Sequence, residues 1–333
     1  MRAMRLSNYA DIHTSPLQMT ECPDPVPAFG EVLVRVRCCG ICRTDLHVIE
    51  GELPPAKRPV IPGHQVVGVV ESLGLGCHRL KIGQRVGVAW LRATCGVCKF
   101  CRAGRENLCE ATRFTGYHAD GGYAALAVVR EDFAYEIPDA FDDAQAAPLL
   151  CAGIIGYRAL ERSNLPHNGR LALYGFGSSA HIVLQIAQYR GCEVFVVTRG
   201  NRHRQLARDM GATWVGESAA EMPVKVDSAI IFAPAGELVP PALESLEKGG
   251  TLALAGIYMT AIPSLDYEKT VFYERNIRSV TANTREDGRN LLVEAAAAKV
   301  RAHVTCYPLA EANAALQDLK DDRINGTGML IVS

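Results

Sequence analysis

Four closely spaced cysteines constrain this chain more than any other feature. Cys95, Cys98, Cys101 and Cys109 form the pattern C-x2-C-x2-C-x7-C. Four thiolates at this spacing can surround one ion tetrahedrally, which is the ligand set of a structural zinc site with no position left for substrate. The segment 92–112 is polar, so we expect it to fold as a small lobe around its metal. Any catalytic centre must therefore lie elsewhere in the chain.

Two other classes of protein share part of this cysteine pattern. A zinc-ribbon interaction or nucleic-acid module would explain the four cysteines, and C-x2-C-x2-C also occurs in iron–sulfur electron carriers. The x7 spacing and the residue after Cys109, a glutamate rather than a proline, disfavour a cluster. The charge balance disfavours nucleic acid, and neither class explains the nucleotide-binding pattern described below.

Length and composition indicate an ordinary globular protein. The 333 residues suffice for two domains, and 48% hydrophobic with 21% charged residues is typical of such proteins. A net charge of −1 without long basic runs predicts no nucleic-acid or anionic-membrane partner. No apolar stretch approaches the ~20 residues of a membrane span, and residues 1–16 lack the apolar core of a signal peptide. Twelve cysteines grouped at metal spacing fit a reducing compartment, so we expect a cytoplasmic protein.

The two halves of the chain have different secondary-structure patterns. The first, to residue 152, consists of short strands separated by Gly and Pro, with strands predicted at 31–37, 66–74 and 85–91. From 171 to 257, strands alternate with helices predicted at 178–191, 204–211 and 238–247. This alternation predicts an α/β domain with a parallel sheet. After about 284 the chain returns to helices and a terminal strand, which we predict complete the first domain.

A glycine turn marks a nucleotide site in the second half. The sequence GFGSSA (175–180) follows a predicted strand and opens a predicted helix, as a dinucleotide-binding motif requires. Gly175 permits the tight turn, and Gly177 lets the backbone approach a pyrophosphate. Ser178 and Ser179 open the helix, whose N-terminus would receive the phosphate charge.

The end of the next strand favours NADP(H) over NAD(H). An acidic residue there would bind the ribose hydroxyls of NAD(H), whereas this chain has Thr198 followed by Arg199. Arg199 and Arg204 could hold a 2′-phosphate through charge-assisted hydrogen bonds. The basic patch at 201–208 would otherwise be a solvated helix face.

Three further segments complete a family resemblance. They are GICRTDLH (40–47), PGHQVVG (62–68) and LLCAGIIGY (149–157). With the cysteine lobe and the glycine turn, in this order, the chain resembles the zinc-containing medium-chain alcohol dehydrogenases. The resemblance implies a GroES-like catalytic domain (1–152 and 284–333), a Rossmann coenzyme domain (153–283), and an active site in the cleft between them.

The resemblance also implies a second metal site. Taken singly, Cys42, His64 and Cys151 could each be an ordinary buried thiol or histidine. The family pattern makes them the ligands of a catalytic zinc, and two thiolates with one imidazole leave a fourth position open. The chain would then hold two zinc ions and transfer a hydride between a nicotinamide cofactor and a primary alcohol or aldehyde. A polyol dehydrogenase or a specialised ketone or aldehyde reductase of the same superfamily is the alternative.

Residues beside the first ligand receive roles from the same resemblance. Thr44 should hydrogen-bond the substrate oxygen and start a proton relay whose outer member is His47. Asp45 should orient His64, and Arg43 matches a position that contacts the cofactor pyrophosphate. Helix capping and surface polarity are the alternative explanation for Thr44, Asp45 and His47.

The predicted substrate pocket and two departures from the family pattern complete the sequence-based expectations. Trp90 should narrow the pocket near the catalytic zinc, with Leu53 in its outer part, although a plain core role for Trp90 is possible. The family usually has Glu where this chain has Gln65, and many members have a pyrophosphate-binding Arg at the position of Met329. We expect a small alcohol or aldehyde substrate and a homodimer or homotetramer.

Overall fold

A computed structural model describes residues 1–332 as two compact units. The first unit comprises Met1–Cys151, Ala282–Ala296 and the chain from Ala302 onward. The second comprises Ala152–Thr281 and Ala297–Arg301. No helix within the described residues is both long enough and apolar enough to cross a membrane.

The N-terminal part of the first unit is rich in short strands. Its strands are β1 (Arg2–Leu6), β2 (Leu17–Glu21), β3 (Glu31–Ile41), β4 (Gln65–Leu73), β5 (Arg85–Val88), β6 (Leu91–Ala93), β7 (Arg113–Phe114), β8 (Leu126–Arg130) and β9 (Ala134–Glu136). Its helices are α1 (Arg43–Glu50), α2 (Lys99–Arg102) and α3 (Asp143–Ala146).

The second unit alternates helices and strands. Its elements are α4 (Ala152–Ser163), β10 (Arg170–Tyr174), α5 (Ser178–Tyr189), β11 (Glu193–Val197), α6 (Asn201–Asp209), β12 (Trp214–Gly216), β13 (Val226–Ile231), α7 (Val239–Glu244), β14 (Leu246–Leu254), α8 (Tyr267–Thr270) and β15 (Asn276–Ser279). The C-terminal segment then adds α9 (Arg285–Ala297), β16 (Val304–Pro308), α10 (Ala312–Lys320) and β17 (Thr327–Ile331).

Strand β3 organises the main sheet of the first unit. The sheet has the order β16-β17-β3-β4-β5-β9, and β8 also pairs with β3. Val32, Val34 and Val36 alternate along β3 and are fully buried, so this strand covers a core face along its length. β17 pairs with the end of β3 that leads into α1, and the C-terminal segment thereby completes this sheet.

The sheet of the second unit is parallel and doubly wound. Its order is β12-β11-β10-β13-β14-β15, which counted within the unit is 3-2-1-4-5-6, the Rossmann order. Ala172, Tyr174 and Ile231 are fully buried in its core, as the near-continuous apolar strands predict. The predicted α/β architecture with a doubly wound parallel sheet is confirmed.

Some elements differ from the sequence-based expectation. β12 and β15 were not predicted, because β12 has three residues and the sequence of β15 is the polar NIRS. α6 begins at Asn201 rather than 204, so the basic residues 202–204 lie in its first turns. Trp90 falls between β5 and β6 rather than within the strand predicted at 85–91.

Candidate active site and metal centres

The structure brings together three side chains that are far apart in sequence. His64 Nε2 lies 3.3 Å from Cys42 Sγ and 3.3 Å from Cys151 Sγ. The two sulfurs are 4.0 Å apart, and all three ligand atoms lie within 4.8 Å of one another. All three residues belong to the first unit. This set could hold one metal ion while leaving a coordination position open.

Adjacent strand ends explain why these residues meet. Cys42 follows β3 directly and is the N-cap of α1, whereas His64 immediately precedes β4. β3 and β4 are antiparallel with Gly40 opposite Gln65, so the end of one strand and the start of the other are neighbours. Cys151 follows a short 3-10 turn, and its backbone N–H donates to the Pro148 carbonyl.

Asp45 fixes the orientation of His64. Its Oδ1 lies 3.1 Å from His64 Nδ1, and its Oδ2 accepts from the backbone N–H of Cys42 at 2.9 Å. Asp45 is 2% exposed and His64 1% exposed. With Nδ1–H donating to the carboxylate, the Nε2 lone pair points toward the two sulfurs, as a metal-binding histidine requires.

The electrostatics of this set suit a cation. The neighbouring Cys151 thiol, together with burial, raises the pKa of Cys42 well above its usual value. Burial lowers the pKa of His64, but the Cys42 sulfur and the Asp45 carboxylate outweigh this effect and raise that pKa to about 10. Both shifts favour the protonated forms of these groups in the metal-free site, and a bound cation would take the place of those protons. Two sulfurs and one imidazole nitrogen are donors that zinc accepts well.

The four cysteines of the lobe form the second possible metal site. Their sulfurs lie within 4.8 Å of one another, with 3.5 Å between Cys109 and Cys95 and 3.9 Å between Cys95 and Cys101. Backbone N–H groups of Val97 and Cys98 lower the pKa of Cys95 to about 6, which favours its thiolate. Four sulfurs would saturate a zinc ion, which fits support rather than catalysis.

A partly buried ion pair joins the lobe to a part of the first unit that is distant in sequence. Glu106, 7% exposed, accepts from Arg285 Nη2 at 2.7 Å, from Arg285 Nε at 3.0 Å and from the Arg285 backbone N–H at 2.7 Å. Arg285 also contacts Asp132 at 3.1 Å and lies over the Phe133 ring at 4.5 Å. The sequence analysis missed this pair, because 179 positions separate Glu106 from Arg285.

The polar residues of α1 differ in how exposed they are. Thr44 is half-buried and Arg43 is exposed. His47 Nδ1 contacts the Glu52 carboxylate, which leaves Nε2 as its other proton-carrying position. Glu52 follows Gly51, whose positive φ of 75° ends the helix and turns the chain back toward His47.

Trp90 contacts the metal-ligand set directly. Its ring meets the His64 ring edge-on, with centroids 4.9 Å apart. Phe114 stacks on Trp90 at 4.7 Å and Tyr117 at 6.0 Å, and the Tyr117 hydroxyl donates to the Pro54 carbonyl. The sequence analysis missed Phe114 and Tyr117, although their place just after the cysteine lobe was a usable signal. Leu53 is half-buried.

The two departures from the family pattern are both buried. Gln65 is fully buried, and no atom within residues 1–332 hydrogen-bonds its Nε2 or its Oε1. Its side chain lies against Gly40, where an added Cβ would come within 3.0 Å of Gln65 Oε1. Met329 is fully buried in β17 opposite Gly40.

The glycine turn of the second unit has the form of a nucleotide-binding loop. Gly175 has a φ of +87°, and its N–H donates to the Val197 carbonyl at 2.9 Å. Gly177 precedes the twelve-residue helix α5, whose first turn contains Ser178 and Ser179. The N-cap residue Gly177 has no side chain to cap the helix, and backbone N–H groups at a helix N-terminus can receive a phosphate.

The residues predicted to choose the cofactor lie after β11. Thr198 is buried, with its N–H donating to the Gly216 carbonyl at 3.0 Å, and Arg199 is exposed. Arg204 pairs with Glu217, which follows β12. The Arg204 guanidinium is thus already engaged, whereas Arg199 is the exposed cation at this strand end.

Zinc-dependent dehydrogenases typically combine a Rossmann sheet with two ligand sets. One set has three residues and the other has four cysteines. Comparisons with known families agree. Residues 28–139 match the family described as Alcohol dehydrogenase GroES-like domain. Residues 180–298 match the family described as Zinc-binding dehydrogenase.

Individual proteins resemble the chain over nearly its full length. A Mycobacterium tuberculosis protein described as "Probable alcohol dehydrogenase AdhA" is 50% identical, and the match covers 100% of this chain and 97% of that protein. The cobalt- and zinc-bound thermostable alcohol dehydrogenase of Pyrobaculum aerophilum is 26% identical, with a TM-score of 0.88 over 100% of this chain and 99% of that one. A zinc-binding dehydrogenase of Sinorhizobium meliloti bound to NADP is 25% identical, with a TM-score of 0.87 over 99% of each chain.

The chain belongs to the zinc-containing alcohol dehydrogenases of the medium-chain dehydrogenase/reductase family. It is therefore an oxidoreductase of the alcohol dehydrogenase type. The predicted combination of a GroES-like domain with a Rossmann domain is likewise confirmed.

Proposed function

We propose that the protein interconverts primary alcohols and aldehydes on a zinc ion held by Cys42, His64 and Cys151, and that it prefers NADP(H). The observation that carries this proposal is the set itself, in which His64 Nε2 lies 3.3 Å from each sulfur. A zinc bound there would act as a Lewis acid that makes an alcohol hydroxyl more acidic or polarises a carbonyl. A second zinc is proposed for Cys95, Cys98, Cys101 and Cys109, with a structural role.

The residues around the set prepare it for this chemistry. Asp45 holds the His64 tautomer and so directs Nε2 toward the ion. Trp90 covers one side of His64 and limits the width of the substrate next to it. The apolar lining proposed for the pocket, with Leu53, suits the hydrocarbon part of a small alcohol.

The proton of the alcohol needs a path to solvent. A bound nicotinamide cofactor would accept the hydride from the substrate carbon. Oxidation to the carbonyl also releases one proton from the substrate oxygen. The Thr44 hydroxyl is proposed to accept this proton first and to pass its own proton on. His47 is the outer member of the relay, and Glu52 orients it by contacting Nδ1.

The preference for NADP(H) is proposed from the strand end at Thr198. No carboxylate occupies this position to bind a ribose diol, and the exposed Arg199 follows it. Ser178 and Ser179 at the start of α5, together with Arg43, are proposed to contact the pyrophosphate. The relative from Sinorhizobium meliloti binds NADP and thereby supports the assignment by analogy.

Two broader properties are proposed with the activity. The apolar side chains exposed near the sheet edge of the second unit suit a homodimer or homotetramer, as discussed below. Within residues 1–332 no cysteine forms a disulfide, which suits a reducing compartment such as the cytoplasm.

Steady-state kinetics test the proposed cofactor and substrate. NADPH and NADH oxidation are measured with a panel of straight-chain and aromatic aldehydes, for the wild type, Arg199→Ala and Arg208→Ala. We expect the wild type to favour NADPH in kcat/KM and Arg199→Ala to lose about tenfold of that preference, as expected for one charged hydrogen bond. Arg208, exposed in the last turn of α6, is the matched control and should leave the ratio unchanged. A wild type with higher kcat/KM for NADH would overturn the cofactor assignment.

A further inference from the structure

His181 is a buried histidine to which the reaction described above gives no role. It is the fourth residue of α5, and its side chain is fully buried. A buried imidazole is costly unless it forms hydrogen bonds, so its partners indicate what it does. The residue follows Gly177 by four positions and therefore lies one helical turn behind the proposed nucleotide-binding loop.

The His181 ring reaches back to the carbonyl of Gly177. Its Nδ1 lies 3.2 Å from that oxygen, and the His181 backbone N–H donates to the same oxygen at 3.2 Å. A carbonyl oxygen only accepts, with room for two hydrogen bonds, so the contact places a proton on Nδ1. One residue thus holds the Gly177 carbonyl through both its backbone and its ring.

The peptide of Gly177 also carries the first N–H of the helix. In a planar trans peptide the carbonyl and the following N–H point in opposite directions, and here that N–H belongs to Ser178. Ser178 begins α5, so its N–H is directed out of the helix N-terminus, where a phosphate is bound most favourably. A restraint on the Gly177 carbonyl is therefore a restraint on the direction of the Ser178 N–H.

The loop in front of the helix has room for a phosphate. Gly177 is exposed, and a Cβ built on it would meet no atom of residues 1–332 within 4 Å, apart from its neighbours along the chain. On the strand side, the Gly175 N–H donates to the Val197 carbonyl at 2.9 Å. The loop is thus held from the strand by Gly175 and from the helix by His181, with open space next to Gly177.

We propose that His181 is a positioning residue for the cofactor: its ring fixes the Gly177 carbonyl and so aims the Ser178 N–H at the cofactor pyrophosphate. A donor that is already oriented loses less entropy when the ligand binds, which raises affinity. The inference rests on the proposed nucleotide site at 175–180. It applies equally to NADPH and NADH, because both carry the pyrophosphate, so it does not depend on the proposed preference between them.

Cofactor binding to the zinc-loaded enzyme tests the inference. The Kd values of NADPH and NADH are measured by the fluorescence of the reduced nicotinamide for the wild type, His181→Leu and His181→Asn. Leucine fills a similar volume without a donor, whereas the asparagine amide nitrogen can take the place of Nδ1. We expect His181→Leu to weaken the binding of both cofactors by about three- to tenfold, the effect of one hydrogen bond, and His181→Asn to bind them nearly as the wild type does.

Steady-state kinetics should show the same separation. His181→Leu should raise the KM of the cofactor and leave kcat at saturating cofactor little changed, because contacts to the pyrophosphate bind the ground state and the transition state alike. The zinc content should stay at the wild-type value, which excludes general unfolding as the cause.

Gln185 provides the matched control. It lies one turn further along α5, where its amide donates to the His181 carbonyl and to the Arg301 carbonyl, each at 2.9 Å. Gln185→Leu removes these hydrogen bonds without touching the Gly177 carbonyl, so it should lower the melting temperature and leave both Kd values unchanged. His181→Gln, whose amide reaches the position of Nε2 rather than Nδ1, replaces the leucine variant if that variant does not fold, and it should bind the cofactors more weakly than His181→Asn does.

Two results would overturn the inference. If His181→Leu bound both cofactors like the wild type, or if His181→Asn bound them as weakly as His181→Leu, the ring would serve packing alone. Either result leaves the proposed function intact, because the wild type would still bind a dinucleotide. A wild type that binds neither NADPH nor NADH would instead contradict the proposed function itself.

Discussion

At the scale of single residues, two neighbouring side chains, Asp45 and Trp90, define the environment of His64. Asp45 contacts Nδ1 at 3.1 Å, and the Trp90 ring lies edge-on at 4.9 Å. The first is an electrostatic contact that selects a tautomer, and the second is an apolar wall with Phe114 stacked behind it. The same histidine is thus oriented by a carboxylate and shielded by an aromatic ring.

Trp90 gives the first prediction at this scale. Trp90→Ala removes the ring beside His64, so secondary alcohols and bulkier ketones should gain relative to primary alcohols. We expect the ratio of kcat/KM values to shift by roughly tenfold, the usual effect of reshaping an apolar pocket. Trp90→Phe, which keeps an aromatic wall, is the control and should shift the ratio less. An unchanged substrate profile in Trp90→Ala would show that the residue belongs to the core and not to the pocket.

Gln65 gives the second prediction at this scale. It is fully buried, and its amide has no hydrogen-bond partner within residues 1–332. Gln65→Glu places a carboxylate in this position, which is costly unless a cation is near. We expect the variant to melt lower than the wild type after chelation and to regain more stability than the wild type when zinc is restored. If the melting temperature of the variant fell by the same amount with and without zinc, the side chain at position 65 would not interact with the metal.

At the scale of elements, the four-cysteine lobe is also held by an ion pair outside its cysteines. Glu106 in the lobe accepts several hydrogen bonds from Arg285, the first residue of α9. Burial alone would raise the pKa of Glu106, but the hydrogen bonds and charge of Arg285 outweigh it and hold that pKa below its usual value. Pairing with Arg285 therefore contributes stability above the unfolded pKa of about 4.3, and this contribution is lost as the pH falls through the folded value.

This ion pair predicts a pH-dependent effect of one substitution. Glu106→Gln should lower the free energy of unfolding by about 2 kcal/mol at pH 7, the scale of hydrogen bonds to charged groups. The difference from the wild type should shrink as the pH falls below about 4, because the wild-type carboxylate is then protonated too. Glu110→Gln, an exposed change in the same lobe, is the control for denaturant unfolding. A constant difference between pH 7 and pH 3 would contradict the role of the charge.

The sequence predicts elements that have strong periodicity and ligand groups that have strict spacing. The strands β3, β10 and β11 and the four-cysteine lobe follow from local pattern alone. The strand β15 does not, because NIRS is polar and lies at the edge, where only pairing with β14 makes it a strand. Contacts between positions far apart in sequence, such as Glu106 with Arg285, need the three-dimensional structure, because no local sequence pattern predicts them.

At the scale of the whole molecule, the second unit ends in a sheet edge that favours self-association. β15 is the last strand of its sheet within the described chain. Large apolar side chains of this region are exposed, namely Ile257, Tyr258, Ile262, Tyr267, Phe272, Tyr273 and Ile277. An open edge with exposed apolar side chains promotes uncontrolled pairing unless a partner covers it, and a second copy related by a two-fold axis would do so.

If the protein assembles through this edge, a charged side chain placed on β15 should weaken the assembly. Ile277, 39% exposed on β15, is changed to Lys, and the mass in solution is measured by light scattering over a range of concentrations. We expect the wild type to be a dimer or tetramer and Ile277→Lys to give smaller species. Val293→Lys, at an exposed position of α9 in the first unit, is the control and should keep the wild-type mass. A monomeric wild type would refute assembly altogether.

The central claim for the whole molecule is that one chain holds two zinc ions with different tasks. Zinc content of the purified protein, measured by mass spectrometry of the metal, tests it most directly. We predict two zinc ions per chain in the wild type. Cys42→Ser should keep one, with activity lost and the melting temperature little changed, whereas Cys95→Ser should keep one and melt lower. A wild type with a single zinc, lost together with activity in Cys42→Ser, would contradict this account.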